Sequence, residues 1–326
     1  MVARKWRTAA ILAASGIAAI YIVRAIGPAA VLSGVARAGI GGLGLLCGYA
    51  LVMLGVLAVA WRCLVPRSYC ASLRVFFLAR LVRDSISDIT PFSAMAGMLA
   101  AARLATLAGM ESGFALASVA ADATTEAMAQ VAFLLLGISL GASHLQHYSG
   151  AIPLAAASII VLVLSVLCIA GMVLLQRKGA GWVDKIVGRN FPKIQRGITL
   201  HQSFRELYSS QSRLAGAALL HLLGWISAGG GTFVAFRLAG GQIGILDALA
   251  LESLLAALRS LAVFVPAGIG VQEAGYAMLA PVFGLPAELG FAVSLLRRAR
   301  EIVLGVPALV YWQVVEGRIV AMLGNS

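Results

Sequence analysis

The chain has 326 residues, 61% hydrophobic and 12% charged, with a mean hydropathy of +0.95 and a formal net charge of +12. Soluble domains carry roughly a quarter charged residues, so composition excludes a water-soluble globular protein and points to a polytopic membrane protein. The surplus of bases follows from where they sit along the chain and is no sign of a nucleic-acid partner.

In chain order, apolar spans are predicted near 7–26, 38–61, 113–141, 151–175, 213–237 and 287–313, several of them at or beyond the ~18 apolar residues needed to cross a bilayer. The first follows Arg4, Lys5 and Arg7; it is too long for the core of a signal peptide and has no clear cleavage motif, so it reads as a retained span. Two longer stretches, about 70–110 and 243–285, are apolar but interrupted in the middle. The first interruption runs through Ser85, Asp88, Pro91, Ser93 and Gly97, the second through Ser260, Pro266, Gly268, Gly270 and Glu273. Each break falls where a full span would have its centre, which fits a re-entrant hairpin better than two crossings.

The two interruptions are related by an offset of 175 residues, which aligns Ser85 with Ser260, Pro91 with Pro266, Gly109 with Gly284 and Glu126 with Glu301. Matching Pro and Gly breaks in two halves are the sequence mark of a transporter-type site made from discontinuous helices. Loop charge gives the orientation. The stretch from Arg62 to Arg83 holds five arginines, and that from Arg177 to Arg213 holds eight bases against Asp184 and Glu206. With the N-terminal three, sixteen of the twenty-five bases lie in segments that the positive-inside rule assigns to the cytoplasm. Both termini are then cytoplasmic, and the halves run in opposite directions. Four full crossings in place of the two hairpins would keep the same loop sides, so charge alone does not separate these topologies.

The expected fold is therefore all-α, with about six transmembrane helices plus two re-entrant broken-helix hairpins in an inverted-topology repeat. Residues 1–150 form the first repeat with its N-terminal span, 151–212 a connecting span and basic interfacial loop, and 213–326 the second repeat. The 176–212 loop mixes bases with Trp182, Phe191, Phe204 and Tyr208. That composition suits an inner-leaflet surface with anionic headgroups, and equally a plain solvated connector.

Charges within the spans are the candidate site. Asp122 and Glu126 share one face of the third span; Arg297, Arg298, Arg300 and Glu301 lie in the sixth. A charged side chain at a helix centre costs about 2.5–3.5 kcal/mol on insertion scales, so these groups must face one another or a wet pocket. They can hold a lipid headgroup, with arginines for an anionic group and carboxylates for balance or proton coupling, or they can lock the third span to the sixth. Arg103, Arg259 and Glu273, next to the breaks, are further candidates. The broken-helix residues Pro91, Ser93, Gly97, Pro266, Gly268 and Gly270 would supply close backbone approach and unpaired amides.

No metal or cofactor is expected. The four cysteines have no paired metal spacing, H-E-x-x-H is absent, and no G-x-x-x-x-G-K-[ST] string is present, so transport would be passive or ion-coupled.

The string Pro266-Ala267-Gly268-Ile269-Gly270-Val271-Gln272-Glu273-Ala274, with Gly284-Leu285-Pro286 and the arginine-bearing Leu295–Glu301 after it, resembles the lysylphosphatidylglycerol synthase transmembrane-region (flippase-like) superfamily. Pro91-Phe92-Ser93 with Ala121-Asp122 and Glu126 is most similar to its hopanoid-biosynthesis-associated branch of stand-alone integral membrane proteins. Met98 stands where the first half of the family has a glutamate, and Ala267 replaces a glycine. The resemblance implies a protein of the bacterial cytoplasmic membrane that moves a lipid, of hopanoid or phospholipid class, between leaflets through a midplane polar site. Two other functions suit the same sequence. One is a non-catalytic subunit that organises lipid synthesis; the other is a membrane-embedded enzyme using Asp122 and Glu126 for acid–base work. The small-residue strings Gly39–Gly44 and Gly229–Gly231 permit close packing within the chain, with a second copy, or with a lipid-synthesis partner.

Overall fold

A computed structural model describes residues 28–69, 71–89, 94–147, 151–181, 184–185, 200–261 and 270–324. The expected first span at 7–26, and Pro91, Ser93, Pro266 and Gly268, lie outside the described residues. Every regular element among those described is helical. They are α1 (Pro28–Leu64), α2 (Leu73–Ile89), α3 (Ala94–Leu107), α4 (Ser112–His147), α5 (Ala151–Leu174), α6 (Leu200–Leu207), α7 (Gln211–Leu238), α8 (Ile245–Leu261), α9 (Val271–Leu279) and α10 (Ala287–Gly324).

Among the described residues, three segments are long and apolar enough to cross a membrane: Ala36–Leu64 in α1, Ser112–His144 in α4 and Gln211–Leu238 in α7. α10 is 38 residues long but carries its charges mid-helix. Large apolar side chains face outward along these helices, among them Ile40 (85% exposed) and Val52 (72%). A surface of that kind on well-packed helices belongs against lipid. The chain is a helical membrane protein.

The two halves of the chain have helices and turns in common. α2 and α8 have 17 residues each, and α4 and α10 have 36 and 38. The turns that precede α4 and α10 are built alike. Gly109 donates to Thr106 O and Met110 to Ala105 O; 175 residues on, Gly284 donates to Pro281 O and Leu285 to Ala280 O. Both turns need a left-handed residue, and both have glycine there, with φ of +96° and +72°.

Each half has its own core. In the first, Trp61 is fully buried edge-on against Phe76, with ring centroids 5.1 Å apart, and its indole N–H donates to Ser118 Oγ at 3.2 Å. Phe114, Ala101 and Ala105 close around it. In the second, Tyr276, Phe236, Leu251, Leu255 and Leu296 pack together. α2 lies on α3 and α9 on α10, while the long helices α1 and α4 pack against α7, and α8 packs against α4. At that last crossing Gly137 and Gly141 of α4 face Ser253 and Ala250 of α8, so the backbones approach closely.

Two expectations need correction. Arg80 and Arg83, counted above with the cytoplasmic loop, belong to α2 and point into the protein. Part of the 176–212 loop is ordered helix. A π-turn at Leu175–Gly179 ends α5. α6 then buries Phe204 and Leu207, and its first amides, Leu200 N and His201 N, donate to the Asp184 carboxylate at 2.9 and 3.0 Å.

Candidate functional site

α2 presents Arg80, Arg83, Asp84, Ser87 and Asp88 along one stripe, at the i, i+3/i+4, i+7/i+8 spacing of a helix face. Arg80 and Arg83 straddle the carboxylates of α4. Both donate to Asp122 Oδ2, each at 2.9 Å. They also take one oxygen each of Glu126, Arg83 at 2.5 Å and Arg80 in a short contact with Oε1. Asp84 lies 3.1 Å from Arg80 Nε and 3.5 Å from Arg83 Nε. From α7, His221 Nε2 lies 3.0 Å from Asp122 Oδ1, and the Trp225 indole donates to the backbone carbonyl of Glu126. Arg80, Asp122 and His221 are all buried.

The second half builds a different network at the matching place. Glu252 of α8 accepts from Arg297 at 2.6 Å, from Thr232 at 2.6 Å and from Tyr276 at 2.8 Å. Arg297 also contacts the Thr232 and Tyr276 hydroxyls. Arg298 turns the other way, to Glu273 at 3.0 Å and Glu301 at 2.9 Å. Glu273 in turn accepts the N–H of Gly270, whose φ of +82° starts α9.

Between the networks lies a cavity of about 260 Å³, lined by Arg80, Arg83 and Glu126 on one side and by Glu252, Arg297, Arg300 and Glu301 on the other. Arg259 of α8 and Asp88 of α2, 3.6 Å apart, meet at its edge. The expected pairing of the third span with the sixth is therefore indirect. Asp122 and Glu126 pair with α2, Arg297 and Arg298 pair within the second half, and the halves meet at the cavity. Of the candidate residues, Asp122, Glu126, Arg259, Glu273, Arg297, Arg298, Arg300 and Glu301 all belong to this region. Gly97 lies in α3 against the backbone of Arg83, where a Cβ would sit 2.5 Å from the carbonyl oxygen. Arg103 lies apart, paired at 3.1 Å with Glu316 on a partly exposed flank.

Six arginines (80, 83, 259, 297, 298 and 300) and seven carboxylates (84, 88, 122, 126, 252, 273 and 301) make up the region, seven of the chain's thirteen acids. Six positive against seven negative leaves −1 with His221 uncharged. The deep arginines are held at 3.1 Å or less, whereas Arg259 and Arg300 reach their carboxylates only at 3.6 and 3.7 Å. A guanidinium at that distance keeps donors to offer to something else.

The sequence reading missed Arg80, Arg83, His221, Thr232 and Tyr276 as members of this region. The polar stripe of α2 was the available signal for the arginines. Thr232 and Tyr276 carry no pattern, because they join through tertiary contact alone. Among the described residues, no group of three or more His, Cys, Asp or Glu side chains is placed to hold a metal ion.

No curated protein and no solved structure matches this chain. The family model described as "Lysylphosphatidylglycerol synthase TM region" matches residues 9–308, which takes in every residue that lines the charged cavity. The chain belongs to the lysylphosphatidylglycerol synthase transmembrane-region family.

Proposed function

We propose that this protein moves a membrane lipid between leaflets, holding the headgroup in the charged cavity while the acyl tails stay in the bilayer. One observation carries the reading: ten charged side chains line a cavity inside an apolar helix bundle, with Asp122, Glu273 and Arg298 paired to them or beside them. Burying so many ions where lipid surrounds the protein is costly. A structural lock would need only the paired arginines, and it would have no use for a cavity faced by both signs.

The cavity is dipolar rather than basic, because the carboxylates already neutralise the deep arginines. Such a lining suits a headgroup with no large net charge, or one with hydroxyls, better than a polyanionic one, since desolvating an unbalanced charge is the main cost. A hopanoid polyol and a zwitterionic phospholipid both meet this condition, in keeping with the hopanoid-associated branch. We place the protein in the bacterial cytoplasmic membrane with both termini inside, and read α2–α3 and α8–α9 as re-entrant hairpins of an inverted repeat.

The test is exchange of fluorescent phospholipids between leaflets of protein-containing and empty liposomes, with the lipids recovered for thin-layer chromatography. Protein-dependent exchange with unchanged lipid is the expected result. A new lipid species would instead make the protein an enzyme. Neither change would leave a role in organising lipid synthesis.

A further inference from the structure

A second cavity, of about 220 Å³, lies between α4, α5 and α8. Its floor is buried and apolar, with Leu134 and Ala257 exposed by only 3% and 6%. Its outer rim faces the lipid side, where Leu164 is 49% exposed and Cys168 is also exposed. The polar atoms along it are few. Gln130 and Ser260 bond to each other at 2.8 Å, and Gln130 also donates to Ala256 O at 3.3 Å. Such a groove has room for water but too few partners to hold it, so hydrocarbon is its natural filling.

The groove and the charged cavity are lined by neighbouring residues of the same two helices. On α4, Glu126 faces the cavity and the next residue, Ala127, faces the groove. On α8, Arg259 faces the cavity and Ser260 the groove. The Gln130–Ser260 hydrogen bond thus sits one helical turn from Glu126 and beside Arg259 in the chain. A lipid has this same layout: a polar head, a short polar junction, then a hydrocarbon chain.

We propose that the α4–α5–α8 groove seats one acyl chain of the transported lipid, with the Gln130–Ser260 pair as a latch between tail and headgroup. The proposal rests on the transport reading given above. α5 can open the groove at small cost, because among the described residues it is held chiefly by α4 and only lightly by α8. Its outer face, Ile159, Ile160, Val163 and Leu167, is apolar and exposed.

The experiment uses the full-length protein in phosphatidylethanolamine–phosphatidylglycerol liposomes doped with a phosphatidylcholine bearing a diazirine in mid-chain. After irradiation, the adducts are mapped by mass spectrometry. Adducts concentrated on 127–134 and 164–172 support the groove. Adducts spread evenly over exposed apolar positions elsewhere, such as Val52, Leu219 and Val310, overturn it.

Cys168→Trp and Ser165→Trp fill the rim from the lipid-facing side. In either variant, exchange of a long-chain lipid should fall by roughly tenfold or more, an effect easily resolved, while a short-chain analogue with the same headgroup still exchanges. Equal slowing of both lipids, or of neither, overturns the proposal. Groove adducts in a protein that shows no exchange would keep the acyl-chain site and remove the transport reading instead. An unchanged detergent melting profile in both variants separates a blocked groove from a damaged fold.

Discussion

Arg297 and Glu252 offer the sharpest energetic test, since they are buried and lie 2.6 Å apart. At that separation and an effective dielectric of about 20, their gross attraction is about 6 kcal/mol. Most of it offsets the cost of taking two ions out of water, so the pair as a whole contributes little. Removing one partner is different, because it strands the other; buried pairs broken in this way typically cost about 3–5 kcal/mol. Glu252 would keep the Thr232 and Tyr276 hydroxyls as donors, each worth about 1 kcal/mol. The expectation for Arg297→Gln is therefore near 3 kcal/mol, and Glu252→Gln should cost a similar amount. The double variant should cost no more than about 4 kcal/mol, giving a coupling of at least about 2 kcal/mol. Unfolding by a denaturing detergent in mixed micelles, followed by tryptophan fluorescence, measures all three. Single losses below about 1 kcal/mol that simply add would refute the reasoning, because the pair would then behave as a solvated surface contact.

Other outcomes follow from the geometry. Gly137→Ala places a Cβ 1.6 Å from Ser253 Oγ, an overpacking expected to cost about 1–3 kcal/mol in the same unfolding assay. Ser253→Gly should restore part of that loss, and Ser253→Ala should not, because the Ser253 Cβ itself lies 2.4 Å away. Gly109→Ala and Gly284→Ala meet no neighbour within 4 Å; each should cost about 1–2 kcal/mol from left-handed backbone alone, and similar losses would show that the two turns are equivalent. Arg103→Ala removes a partly exposed pair with Glu316 and should shift stability by less than about 1 kcal/mol, with lipid exchange at the wild-type rate.

The two glycine turns were legible because they are written in residues with few substitutes. Gly109 and Gly284 occupy left-handed turns that other residues adopt at a cost, and their spacing survives in the hydrogen bonds of both turns. The intramembrane charges on α4 and α10 were legible for a similar reason: Asp122, Glu126 and Arg297–Glu301 stand out against an apolar run. Their partners were harder to read. Arg80 and Arg83 sit next to true loop arginines, so a count of bases assigned them to the aqueous side. Thr232, Tyr276 and His221 are ordinary residues for an apolar helix until the fold brings them against Glu252 and Asp122. Asp122 and Arg297 do not pair, because Asp122 is taken by Arg80 and Arg83 and Arg297 by Glu252.

The central claim is that the cavity holds a lipid headgroup, and the loosely paired arginines test it most directly. Arg259→Gln and Arg300→Gln remove cavity donors whose present partners lie at 3.6 and 3.7 Å. Leaflet exchange of fluorescent phospholipids should then slow by roughly tenfold in each variant, with detergent stability changed by less than about 1 kcal/mol. Wild-type exchange in both variants, at full stability, would contradict the account.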